Sequence, residues 1–263
     1  MILLVLAGLA GLVFGSFLNV CIYRLPRDLS VAKPARSFCP FCETTIAWYD
    51  NIPIASYAAL LGRCRKCGAR IPIRYPLVEF LTASAFTGAV VLHGPSWASV
   101  KLMLFGALLI GLVFSDLEER ILPDELTLGG AIAGLALAWI VPPQAGLFEL
   151  WVPPPAAAAL DGLSVGGVLW LVGLLYRMIR KREGLGLGDV KMMGMIAVYL
   201  GLSGSLLTLI LGSLAGSILG LAIIRIGRKD AATYELPFGS FLGAAALFVA
   251  FLGGPLMRWL SGS

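Results

Sequence analysis

The sequence predicts an all-α polytopic membrane protein of about eight transmembrane helices, with a small cytoplasmic domain after the first. Three observations carry this. Of its 263 residues, 59% are hydrophobic and only 13% charged, with a mean hydropathy of +0.90, whereas soluble domains carry about 25% charged residues. Apolar runs recur at the length that crosses a hydrocarbon core, about 20 helical residues. Four of the five cysteines form two CxxC pairs in the one long polar connection.

The expected spans are residues 1–23, 76–93, 98–115, 125–142, 157–177, 189–201, 204–225 and 237–257. The first run lacks the basic n-region of a signal peptide, and Arg24 and Arg27 follow it; it reads as a retained helix. The sixth is short and follows a Gly-rich loop, as for a helix starting within the bilayer depth. Three domains follow: the first helix (1–23), a cytoplasmic domain (24–75) and a membrane domain (76–263).

Basic residues fix the expected orientation. Arg24, Arg27, Lys33, Arg36, Arg63, Arg65, Lys66, Arg70 and Arg74 lie in the first connection. Arg120 lies in the third, Arg177 to Arg182 and Lys191 around the fifth, and Arg225, Arg228 and Lys229 in the seventh. Only Lys101 and Arg258 fall on the other side, near helix ends where they can snorkel. The positive-inside rule puts the odd-numbered connections in the cytoplasm and both termini outside. The net charge of +5 thus reports topology, and no nucleic-acid partner is expected. The Pro-rich connection 143–156, with Trp151, reads as an external loop with interfacial anchors.

Cys39-Pro-Phe-Cys42 and Cys64-Arg-Lys-Cys67 are separated by 21 residues. Two such knuckles can give four thiolates to one tetrahedral zinc. A segment of this size buries too little apolar surface to fold well alone, so a small zinc-stapled domain makes physical sense. Redox pairs are the alternative, but a reducing cytoplasm disfavours stable disulfides. Cys21, inside the first helix, reads as a small packing residue. No repeat is apparent.

The chemistry-bearing residues are acids at the cytoplasmic rim. Asp116 ends the third span, and Asp189, within Gly184-Leu-Gly-Leu-Gly-Asp-Val-Lys-Met-Met-Gly194, begins the sixth. Carboxylates near hydrocarbon are costly and mark functional sites by default. Two that meet from separate helices can share a proton, activate water and protonate a leaving amine. Glu118, Glu119 and Glu125 read as ordinary interfacial charges, and Asp124 as an N-cap. Asp161 is expected on the external side, and Glu79 near a helix entrance, opposing Arg74.

Gly186-Leu-Gly188-Asp189 looks like the GxGD motif of intramembrane aspartyl proteases. Gly15-Ser-Phe-Leu-Asn-Val-Cys-Ile-Tyr-Arg-Leu-Pro26, the CxxC pairs, Arg74-Tyr-Pro-Leu-Val-Glu79 and the segment from Asp116 to Thr127 resemble segments of the bacterial prepilin peptidases. They occur in that family's order across most of the chain. The resemblance implies cleavage of basic leaders from type IV prepilins and type II secretion pseudopilins at the cytoplasmic face of the inner membrane. It implies Asp116 and Asp189 as the catalytic pair, with Gly186 and Gly188 as motif support passing close to an extended substrate. Cys39, Cys42, Cys64 and Cys67 become the zinc ligands. The tetracysteine pattern implies S-adenosylmethionine-dependent methylation of the new N-terminus, with Glu79 a candidate cofactor contact. Two other classes compete: a transporter using the aspartates as a proton relay, and a zinc-stapled scaffold of a pilus or secretion assembly.

Overall fold

A computed structural model describes residues 1–142, 152–182, 184–227 and 236–254. Residues 143–151 of the expected external loop, with Trp151, lie outside the described residues, as do Arg228, Lys229, Arg258 and the last residues of the eighth expected span. Among the described residues the chain is helical, and its β pairing is confined to two isolated bridges, Phe38 with Thr45 and Arg63 with Arg70. The helices are α1 (Ile2–Arg24), α2 (Ala55–Ala59), α3 (Arg74–His93), α4 (Trp97–Glu119), α5 (Asp124–Ala138), α6 (Pro154–Arg180), α7 (Leu187–Gly227) and α8 (Phe238–Phe248). Five are long and apolar enough to cross a membrane: α1, α3, α4, α6 and α7. The fold is therefore that of a multi-pass membrane protein.

The eight expected segments each fall on a helix but do not give eight long ones. α5 has 15 residues, about 22 Å at 1.5 Å per residue, less than the hydrocarbon core. The sixth and seventh segments are two helices within α7, separated as expected by a kink at Gly201, whose φ of 69° and ψ of −176° are non-helical. That backbone region is essentially open only to glycine, so residue type sets where α7 bends.

The chain divides into two compact units, Met1–Phe114 and Ser115–Ser263. In the first, α1 packs on α3 through a stripe of residues four apart, which one helix face presents together. A Cβ added at Gly11 would lie 2.5 Å from Ala83 Cα, and one at Gly15 would lie 2.6 Å from Glu79 Cα. Asn19 continues the stripe, donating from Nδ2 to Tyr75 O at 3.0 Å. Such backbone contact is how helices associate where lipid removes the hydrophobic drive. At the end of α1, Arg24 is 4% exposed and organises the next loop. Its Nη1 donates to the carbonyls of Ser30, Val31 and Pro34 at 2.9–3.0 Å. Cys21 is buried, as a packing residue should be.

In the second unit, α7 packs against α5, α6 and α8. Its first arm is apolar all round, and Met192, Met193, Met195, Ile196 and Ala197 are buried, as expected of a central helix. Small residues again set the contacts: Gly162 of α6 meets Gly194 and Val198, and Gly212 meets Leu242 of α8. The Tyr199 hydroxyl donates to Gly130 O of α5 at 3.1 Å.

Two surface expectations change, those for Asp124 and Lys101. Asp124 is the first residue of α5 and makes no side-chain cap; it accepts from Lys191 Nζ at 2.7 Å instead, bracing α5 against the start of α7. Asp161 is fully buried, and Lys101 is also buried rather than extended to the rim.

Candidate active site and metal centre

Asp116 lies in the last turn of α4 and is 5% exposed. The helix ends because Arg120 turns left-handed, with φ of 56°, its N–H still bonding Asp116 O at 3.0 Å. Ser115 Oγ donates to Ile121 O at 3.0 Å and ties down this turn. Leu122 then lies 3.2 Å from where a Cβ on Gly188 would sit, so the absence of a side chain there lets the start of α7 close on it. Asp189, the third residue of α7, is half-buried. Its Oδ2 lies 3.2 Å from the corresponding point on Gly186.

The two aspartates meet at α8. A Cβ added at Gly239 would lie 3.1 Å from Asp189 Oδ1 and 3.2 Å from Asp116 Oδ2. Two carboxylate oxygens, from helices 73 positions apart in sequence, therefore reach one point over a bare glycine. The next residue fixes one of them: Asp116 Oδ2 accepts the Ser240 N–H at 2.6 Å and the Ser240 hydroxyl at 2.7 Å. Carboxylates so placed can hold one proton between them, and a pair with one protonated and one ionised member can work as acid and base on a bound water.

Gly239 and Ser240 lie against the two aspartates in the candidate site, and sequence reasoning did not single them out; it placed them only at the head of an apolar span. The available signal was the run Pro237-Phe-Gly-Ser, in which small polar residues follow a helix-initiating proline.

The cysteines converge as well. The sulfurs of Cys39, Cys42, Cys64 and Cys67 all lie within 4.8 Å of one another, with Cys39 and Cys67 at 3.9 Å. A tetrahedral zinc, with Zn–S of about 2.3 Å, sets its sulfurs about 3.8 Å apart. The donor set and its dimensions therefore fit a metal. The two knuckles are built alike. The Cys39 N–H bonds Thr44 O and the Glu43 N–H bonds Cys39 O; the Cys64 N–H bonds Ala69 O and the Gly68 N–H bonds Cys64 O. Glu43 and Gly68 turn both chains at φ of 54° and 70°. A structural repeat is thus present where none was apparent in sequence.

The thiols differ electrostatically. Hydrogen bonds with the Thr44 hydroxyl and amide lower Cys42 to about 6. The amides of Cys67 and Lys66 also lower Cys64. For Cys67, the Ala69 amide favours the thiolate, but desolvation and the sulfurs of Cys42, Cys64 and Cys39 outweigh it and push the thiol up to about 11. Four thiolates this close call for a cation among them. Beside the cluster, Arg65 forms a bidentate pair with Asp50 at 2.7–3.2 Å, which lowers the Asp50 carboxyl.

Glu79 lies on α3 and is 7% exposed. Its Oε2 accepts the Ile54 N–H at 2.7 Å, so at least one oxygen is committed to tying the polar connection to α3.

Two family models match the chain: the bacterial peptidase A24 N-terminal domain over residues 9–93, and the type IV leader peptidase family over residues 103–221. The first spans the cysteines and Glu79, the second both aspartates. The chain is 32% identical to a prepilin leader peptidase/N-methyltransferase of Aeromonas hydrophila, covering 97% of this chain and 92% of the relative. Relatives of the same name are 36% identical in Myxococcus xanthus, over 87% and 67% of the two chains, and 33% identical in Burkholderia pseudomallei, over 98% and 88%. No solved structure matches significantly.

Proposed function

The chain belongs to the type IV leader peptidase family, and from that premise we propose that it removes basic leader peptides from type IV prepilins and pseudopilins of type II secretion. The observation that carries the reading is the meeting of Asp116 and Asp189 at Gly239. One ionised carboxylate takes a proton from a water, whose oxygen attacks the scissile carbonyl carbon. The protonated partner gives its proton to the substrate carbonyl oxygen, forming a tetrahedral diol. Collapse breaks the C–N bond as the carboxyl that took the water's proton passes it to the leaving amine, while a diol hydroxyl returns its proton to the other, ionised carboxylate, so the pair again holds one proton.

The positive-inside distribution supports a cytoplasmic site, both termini outside and residence in the bacterial inner membrane. A substrate whose apolar helix lies in lipid then presents its leader junction at the rim, where Gly186 and Gly188 keep the approach to Asp189 low. Cys39, Cys42, Cys64 and Cys67 would hold a structural zinc, which would staple the connection between α1 and α3.

In the same reading the new N-terminal amine is methylated, with S-adenosylmethionine supplying the methyl group. No residue is assigned to that donor, because Glu79 already serves Ile54. A synthetic prepilin segment and labelled methyl donor, incubated with the purified protein in detergent, test the reading by mass analysis. Leader release is expected, with label on the mature N-terminus. Intact substrate with a folded enzyme would overturn the peptidase assignment.

A further inference from the structure

Resting on the aspartate-pair reading, we infer that Ser240 is a positioning residue for cleavage: its side-chain hydroxyl holds the Asp116 carboxylate in the orientation that pairs it with Asp189.

The inference starts from a redundancy. Asp116 Oδ2 takes two donors from one residue, the backbone N–H at 2.6 Å and Oγ at 2.7 Å. Ser240 is the third residue of the 11-residue α8. Within its own turn the Ser240 N–H makes only a long contact, 3.2 Å to Pro237 O, since the first amides of a helix lack the usual intrahelical acceptors. A carboxylate there is an ordinary helix-terminal contact, strengthened by the macrodipole. Any residue but proline would supply that amide. The hydroxyl is the part specific to serine.

Its geometry is informative. Both donors converge on a single oxygen, and two directions of approach fix the carboxylate's rotation where one leaves it free to turn. Ser240 is 6% exposed, so water does not readily substitute. The preceding residue, Gly239, presents no side chain to either carboxylate. The first turn of α8 thus does two things at adjacent positions: it leaves room for the two acids to meet, and it clamps one of them. Asp189 approaches the same glycine, and the clamp acts on Asp116. Hydrogen bonds to an ionised acceptor are about twice as strong as neutral ones, and catalysis is sensitive to displacements of about 1 Å. A hydroxyl that never touches substrate can therefore control turnover.

A purely structural serine makes a different prediction. It would lower stability on removal and reduce activity only as far as the folded fraction falls. The experiment compares Ser240→Ala, Ser240→Thr and Asp116→Asn in full-length protein, measuring kcat and KM on a prepilin segment alongside thermal melts. Ser240→Ala keeps the amide and loses only the hydroxyl. It is expected to lower kcat about tenfold to a hundredfold, the span that loss of one hydrogen bond to a charged group gives, with KM within about twofold and a near-native melt. Ser240→Thr keeps a hydroxyl and is expected to recover most of the loss.

Wild-type kcat in Ser240→Ala overturns the inference. So does a kcat loss matched by the loss of folded protein, or a threonine no better than alanine. Asp116→Asn separates the layers of the argument. If it cleaves at the wild-type rate, the aspartate-pair reading fails; if it is inactive while Ser240→Ala is normal, only the role of Ser240 falls.

Discussion

Replacing Gly239 by alanine is the smallest change that tests how the two acids share their site. The new methyl would sit 2.9 Å from Leu122 Cδ1, 3.1 Å from Asp189 Oδ1 and 3.2 Å from Asp116 Oδ2. Carbon contacts settle at about 3.5–4.0 Å, so each neighbour must give by a few tenths of an ångström. Leu122 can swing its branch end away. Asp116 cannot turn freely, because Ser240 holds Oδ2 twice. Overpacking of this kind costs about 1–3 kcal/mol, and alanine's better helix propensity returns at most about 1 kcal/mol. Net destabilisation should therefore stay within about 3 kcal/mol, and the protein should still fold. Activity is far more exposed, because a displacement of about 1 Å at reacting groups can cost about a hundredfold. The expected outcome is a melt a few degrees lower and prepilin cleavage down by at least tenfold. The assay is initial cleavage rate and melting temperature on one detergent preparation. A wild-type rate in Gly239→Ala would refute the placement of the acids against α8.

Two further predictions concern the first unit. Gly15→Leu places a Cβ 2.6 Å from Glu79 Cα, a backbone atom that cannot rotate aside, so α1 and α3 must part; a clearly lowered melt is expected, and an unchanged one contradicts the packing. Chelation, or Cys39→Ser, should remove about one zinc per chain and expose residues 24–75 to protease, since structural zinc contributes about 10–16 kcal/mol in small domains. Unchanged protease resistance after metal loss would show that the four sulfurs are not the staple.

What sequence conveyed and what it withheld divide along physical lines. The helices were legible because a bilayer demands long apolar runs. The count was less legible, because α5 is apolar but short, though the break at Gly201 does separate two helices where composition suggested two. Asp116 and Asp189 stood out as acids in apolar surroundings, on the same side by alternation. Their meeting place did not. Ser240 reaches Asp116 across 124 positions, a contact with no periodicity to betray it, and small residues at the head of an apolar helix look like routine packing. Arg24 registered only as a positive charge, yet it collects the carbonyls of the following loop. The paired knuckles share little beyond their cysteines, so their likeness lies in backbone hydrogen bonds that residue identity does not spell out.

The central claim is that Asp116 and Asp189 act as one unit, and a double-mutant comparison of cleavage tests it most directly. Single-turnover rates on a prepilin segment would be measured for Asp116→Asn, Asp189→Asn and the double variant. Residues that work as a unit show strongly non-additive losses. The account predicts that each single change abolishes nearly all cleavage and that the double variant is scarcely worse than either. Independent losses that multiply in the double variant, or full cleavage by either single variant, would contradict it.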